Sequence, residues 1–128
     1  MTLVIDASAF TGLVIGSSSP VLADHAAANG HWLAPEHFTI EVVSALRGAW
    51  LDGTLTDTTF PVAVQRLADA GVQTWPVRPL LPRVVELAAN ASVYDAASVA
   101  LAEHLDVPLL TDDRRLSRVP GIRCWFLL

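Results

Sequence analysis

Ser92 to Leu116, SVYDAASVALAEHLDVPLLTDDRRL, carries the pattern from which the fold of this chain can be read. Asp95 opens an apolar run that continues at helical spacing to His104. A short apolar strand, Val107 to Leu110, then leads directly into Thr111-Asp112-Asp113. In a parallel sheet, ligands gather beyond the carboxyl ends of the strands, where helices also begin. An acid at a helix start and acids at a strand end can therefore face one space.

The rest of the chain extends that pattern. Thr2–Ile5, Trp32–Ala34, Val72–Val77 and Ile122–Leu127 are further short apolar runs with strand character. Between them the spacing predicts helices over Ala7–Val14, Val21–Asn29 behind Pro20, Glu36–Leu51, a segment from Thr56-Asp57 to Gly71, and Pro79–Asn90. A helical turn is expected at Arg114–Ser117. In the 36–51 helix the apolar stripe is expected to be Ile40, Val43, Leu46 and Trp50. In the 79–90 helix it is expected to be Leu81, Val84, Val85 and Leu87 with Ala88. Strands alternating with helices imply a parallel sheet covered on both faces. At 128 residues, with no linker or repeat, one domain is expected.

Composition removes several mechanisms. All eight basic residues are arginine, which excludes a Schiff-base lysine, a phosphate-loop lysine and a lysine beside a phosphorylated aspartate. A response-regulator-like use of Asp6 is further disfavoured because Ser8, not an acid, stands two residues on. No Gly-rich nucleotide motif or Ser-nucleophile elbow occurs. The net charge of −5 opposes non-specific nucleic-acid binding, unless bound cations reverse the local field. The single cysteine, Cys124, lies in an apolar segment and reads as a structural thiol, which fits a reducing cytoplasm. No apolar run approaches the roughly 18 residues of a membrane span. The N-terminus lacks a basic leader, so neither a membrane span nor a signal peptide is expected. A hydrophobic fraction of 52% and a mean hydropathy of +0.45 suggest a partner or a homo-oligomer.

Each acid has a plain structural reading beside the functional one. Asp6 ends the first strand and can cap the helix after it. Ser92-Val93-Tyr94-Asp95 fits a capping box. Glu41 lies mid-helix among apolar neighbours, either as a solvated surface acid or at the edge of the buried stripe. Asp112 and Asp113 suit a turn, with Arg114 and Arg115 as exposed ion partners. The histidines, His25, His31, His37 and His104, show no metal-ligand spacing and read as surface or helix-end residues.

The acids taken in order, however, resemble the PIN-domain family, and within it the VapC-type toxins of bacterial toxin–antitoxin pairs. The resembling segments are Val4-Ile5-Asp6-Ala7-Ser8, Ala34-Pro35-Glu36 leading to Glu41 and Leu46-Arg47, Tyr94-Asp95-Ala96, and Pro108 through Leu116. The resemblance implies an α/β/α sandwich with a mostly parallel sheet of four to five short strands. It implies that Asp6, Glu41, Asp95 and Asp113 are the catalytic and metal-binding acids. Asp113 satisfies the family's T-x-D pattern, with Asp112 in the variable middle position, and Ser8 and Thr111 match hydroxyl positions around the site. It further implies an RNA substrate, a small cognate antitoxin and a homodimer. Mg²⁺ or Mn²⁺, hard ions that take oxygen ligands and keep waters, suit such a set. Phosphodiester hydrolysis by a one- or two-metal scheme follows, with Arg114, Arg115 and Arg118 available to hold phosphates. The competing reading is a non-catalytic PIN-like module that binds RNA or a partner without cutting.

Overall fold

Strand β1, Thr2–Ile5, is buried on both sides because successive side chains leave a strand in opposite directions. Leu3 and Ile5 enter one apolar cluster and Val4 enters a second one. The sheet is therefore a septum between two cores, as its near-continuous apolar strands require. The computed structural model describes residues 1–128.

The sheet has four strands in the order β3-β2-β1-β4, with every pairing parallel. β2 is His31–Pro35, β3 is Gln73–Trp75 and β4 is Leu109–Leu110. Six α-helices accompany it: α1 Ala7–Ile15, α2 Pro20–Ala28, α3 Phe38–Leu51, α4 Thr59–Asp69, α5 Leu81–Leu87 and α6 Val93–Leu105. Helices α1 to α4 supply the core on one face, and α5 and α6 the core on the other. This is the three-layer α/β/α arrangement expected from the sequence.

The chain winds from β1 outward to β2 and β3, then returns to place β4 on the other side of β1. The strand order thus reverses at β1, the position in such sheets beyond whose strand ends ligands commonly bind. In the register Ile5 pairs with Leu110. The next residue on each strand is therefore Asp6 beside Thr111.

Several expected details differ. The last segment forms no strand; it touches the sheet through one parallel bridge, Leu109 to Phe126. The 79–90 helix divides into a 3-10 turn, Arg78–Leu80, followed by α5, and it buries Leu80, Val84 and Leu87. Leu81 and Val85 face outward instead. In α3 the buried stripe is Phe38, Val42 and Leu46, at i, i+4, i+8, while Ile40 is 71% exposed. Both apolar rows satisfy helical spacing, and packing against α1 selects the row that carries the aromatic ring of Phe38, which meets Phe10 edge-on at 5.4 Å.

Candidate active site

Asp6 is 6% exposed and occupies the N-cap of α1. Its Oδ1 accepts the Ala9 backbone N–H at 2.9 Å and the Ser8 hydroxyl at 2.7 Å. Its Oδ2 accepts the Thr111 hydroxyl, which arrives from the end of β4. The two hydroxyls are themselves held from behind. Ser8 Oγ accepts the Asp112 N–H at 3.2 Å, and Thr111 Oγ1 accepts the Asp113 N–H at 3.1 Å. Each hydroxyl donates to Asp6 and accepts from the strand-end turn, so the turn and the carboxylate are locked together. Capping and site-forming roles coincide in one side chain.

Asp95 stands in the first turn of α6, half-buried. Its own N–H donates to Ser92 Oγ at 3.1 Å, which is one half of a capping box. No backbone N–H returns to the Asp95 carboxylate, whose hydrogen bond is with the Ser92 side chain. Glu41 reaches the same region from α3, with Phe38 and Val42 of its helix buried beneath it. Burial and neighbouring charge push all three carboxyl groups the same way. Burial raises Asp6 above the ordinary range despite hydrogen bonds from Thr111, Ala9 and Ser8, and the charge of Asp95 adds to the rise. Burial raises Glu41 too, reinforced by Asp6 and Asp95. Asp95 is raised by burial and by Asp113, against the Ser92 hydrogen bond and the Arg115 charge, which lower it. Asp95 is thus within electrostatic reach of Asp6, Glu41 and Asp113.

Asp113 caps a 3-10 turn, Arg114–Arg118, by accepting the Arg115 N–H at 3.0 Å, and it pairs with Arg115 Nε at 3.2 Å. Asp112 is exposed, and its link to the site runs through its backbone N–H to Ser8. Arg114, Arg115 and Arg118 are all exposed on that turn. Arg115 is the one that acts on two acids, Asp113 and Asp95.

Sequence reasoning passed over two side chains at this site. His37 lies with its Nε2 3.9 Å from Glu41 Oε1, and its ring meets Tyr94 edge-on at 5.5 Å. The i, i+4 spacing of His37 and Glu41 on one helix was the available signal. A cavity of about 580 Å³ lies elsewhere. It sits at the far end of α6 from Asp95, lined by Arg83, Glu103 and Cys124 among others, and contains none of the four acids. Its open, mixed lining carries no reactive constellation; burial and Glu103 push the Cys124 thiol up to about 11. No helix is long and apolar enough to cross a membrane.

The acids are not drawn up around one ion-sized point; Asp6 gives both oxygens to hydroxyls and a helix cap. The donor set nonetheless suits a hard divalent cation. It is rich in carboxylates that raise one another's pKa, and Mg²⁺ keeps most of its waters and needs only one or two direct carboxylates.

Fold and site together define an α/β protein with acids at the carboxyl end of a parallel sheet, near the point where its strand order reverses. The PIN domain model matches residues 3–122. Ribonuclease VapC12 of Mycobacterium tuberculosis is 34% identical over 119 residues, covering 93% of this chain and 92% of that protein. Ribonuclease VapC1 of the same organism is 39% identical over 92 residues, 71% of this chain and 69% of that protein. Among solved structures, the Mycobacterium tuberculosis toxin VapC20, described as cleaving the sarcin–ricin loop, superposes with a TM-score of 0.68 at 16% identity, covering 94% of this chain and 96% of its own. The chain belongs to the PIN-domain family, in its VapC-type branch.

Proposed function

We propose that this chain is a divalent-metal-dependent endoribonuclease, the toxin of a toxin–antitoxin pair, with residues 1–128 forming one PIN domain. The observation that carries the reading is the set of buried and half-buried carboxyl groups, Asp6, Glu41 and Asp95, each raised first by burial and then by a neighbouring acid. Kinship with ribonucleases VapC12 and VapC1 supports RNA as the substrate.

Asp6 and Asp95 would be the central ligands of Mg²⁺ or Mn²⁺, with Asp113 supporting and Glu41 either binding the ion or orienting the attacking water. When bound, the ion supplies an attacking water of lowered pKa and neutralises charge on the phosphate. Ser8 and Thr111 hold the two Asp6 oxygens in orientation, and the Asp112 N–H braces Ser8. Arg115, flanked by Arg114 and Arg118, grips phosphates beside the scissile one. A small antitoxin covering the acids and a second copy of the chain are the proposed protein partners. Exposed apolar side chains such as Ile40, Val85 and Val93 support such surfaces. The unpaired Cys124 is consistent with action in the cytoplasm.

The test is cleavage of RNA by the purified chain in Mg²⁺ or Mn²⁺, abolished by chelation. Asp95→Asn should slow it roughly 100-fold or more, the scale expected when several kcal/mol of charge stabilisation is removed. Expression should arrest growth, with relief by Asp95→Ala. RNA binding without cleavage in any divalent ion would leave the non-catalytic module instead.

A further inference from the structure

Tyr94 is the chain's one tyrosine, and it is 55% exposed immediately beside Asp95. Most other aromatic rings are spent on packing: Phe10 meets Trp32 and Phe38 edge-on, and Trp50 lies flat on Phe60. Tyr94 has a different neighbour. The His37 ring meets it at 64° with centroids 5.5 Å apart, which restrains its orientation and leaves more than half of it in solvent. His37 stands one turn before Glu41 on α3, and Tyr94 one residue before Asp95 on α6. The aromatic pair thus bridges the two helices that deliver two of the acids.

We propose that Tyr94, backed by His37, is a stacking shelf for a base of single-stranded RNA next to the phosphate held at the acids. The inference rests on the nuclease reading and deepens it by assigning the substrate's non-ionic grip. A chain of net charge −5 with clustered carboxylates attracts a polyanion poorly. Arg115, 88% exposed, offers charge at the Asp113 flank. At the Glu41 and Asp95 flank no arginine forms a direct ion pair with either acid, and Arg115 reaches Asp95 only at longer range. A fixed aromatic face there binds any base, and its contribution does not depend on charge. An apolar side chain of a protein partner is the rival occupant, and it would need bulk rather than a flat ring.

The shelf is tested with full-length protein and single-stranded oligoribonucleotides carrying 2-aminopurine at successive positions. Stacking on Tyr94 should quench one position, and Tyr94→Ala should abolish that quench. The same variant should raise KM about tenfold while moving kcat far less, the scale of one lost base–aromatic stack. Tyr94→Phe should restore both readouts and Tyr94→Leu neither. An unchanged quench and KM in Tyr94→Ala, or Leu serving as well as Phe, would overturn the shelf. Wild-type protein that cleaves no RNA in Mg²⁺ or Mn²⁺ would defeat the nuclease reading alone. In that case the quench on intact oligonucleotide decides the shelf: its presence supports stacking and its absence overturns it.

Discussion

The Thr111 hydroxyl donates to Asp6 Oδ2 across 105 positions of sequence, and accepts the Asp113 N–H at 3.1 Å. One buried hydroxyl therefore ties Asp6, the first acid of the proposed site, to the turn that carries Asp113. Thr111→Val keeps shape and volume but orphans a buried carboxylate oxygen and a backbone N–H. Leaving such groups unsatisfied should destabilise the protein by about 1–3 kcal/mol in urea unfolding, with Thr111→Ser losing much less. Equal stability of the valine variant and the wild type would refute this account of the hydroxyl.

Asp6 has a pH signature of definite sign. Burial holds its folded pKa above the unfolded value, in spite of the bonds from Thr111, Ala9 and Ser8. The stability linked to it is then full below the unfolded value, about 3.9, and is lost as pH rises through the folded value. At neutral pH, without metal, the charged carboxylate is a burden. Asp6→Asn retains a good N-cap and should raise the melting temperature of metal-free protein by about 2–5 °C, the shift that roughly 1 kcal/mol produces in a domain of this size. Added Mg²⁺ should stabilise the wild type and leave the variant almost unmoved. A melting temperature well below wild type for the metal-free variant would contradict the sign.

Asp112 and Asp113 should separate cleanly in cleavage assays. Asp113 is anchored by Arg115 and close enough to Asp95 to raise its pKa, whereas the Asp112 side chain is exposed and touches none of the acids. We expect Asp113→Asn to lower kcat by roughly 10- to 100-fold, on the scale of losing a supporting group at a metal site, and Asp112→Asn to change it little. The reverse ranking would move the fourth acid to Asp112.

Arg83 closes the far side of the molecule. It donates to both oxygens of Glu103, at 2.7 and 3.2 Å, to Glu86 at 2.9 Å, and to the Gly121 carbonyl. Glu103 also accepts the Arg123 N–H at 2.7 Å, which pins the strandless C-terminal segment to α6. Burial alone would raise Glu103, but Arg83 and Arg123 outweigh it and hold the carboxyl below its usual value. Stability from a lowered acid is present above the unfolded value, about 4.3, and disappears as pH falls through the folded one. Arg83→Met should therefore cost about 2 kcal/mol near neutral pH. The gap to wild type should narrow in acid as Glu103 protonates. A gap that stays constant with pH would show that packing of the arginine stem, and not its charge, was lost.

Much of this architecture was legible residue by residue. The β-branched run Thr2–Ile5, Pro20 at the first position of α2 and the Ser92 cap of α6 are local features. Each is decided within a few residues by backbone sterics and hydrogen-bonding reach. Helix rotation was less legible. Ile40 and Val42 are both apolar and both fit a helical period, and only contact with the sheet and α1 buries Val42 and exposes Ile40. The same ambiguity misassigned Leu81 and Val85 on α5. Ile122–Leu127 has strand composition but gains only a single bridge, because Arg83 and Glu103 hold its start against α6 and not along β4.

In the stretch from Ser92 to Leu116, the sequence alone determined a capped helix, a short buried strand and acids at both of their ends. Whether those acids met Asp6 and Glu41 depended on strand order and register, which join residues a hundred positions apart through backbone pairing that no local pattern encodes. The pairing of Ile5 with Leu110 brought Asp6 to Thr111, and the meeting of the N-terminal ends of α3 and α6 brought His37 to Tyr94.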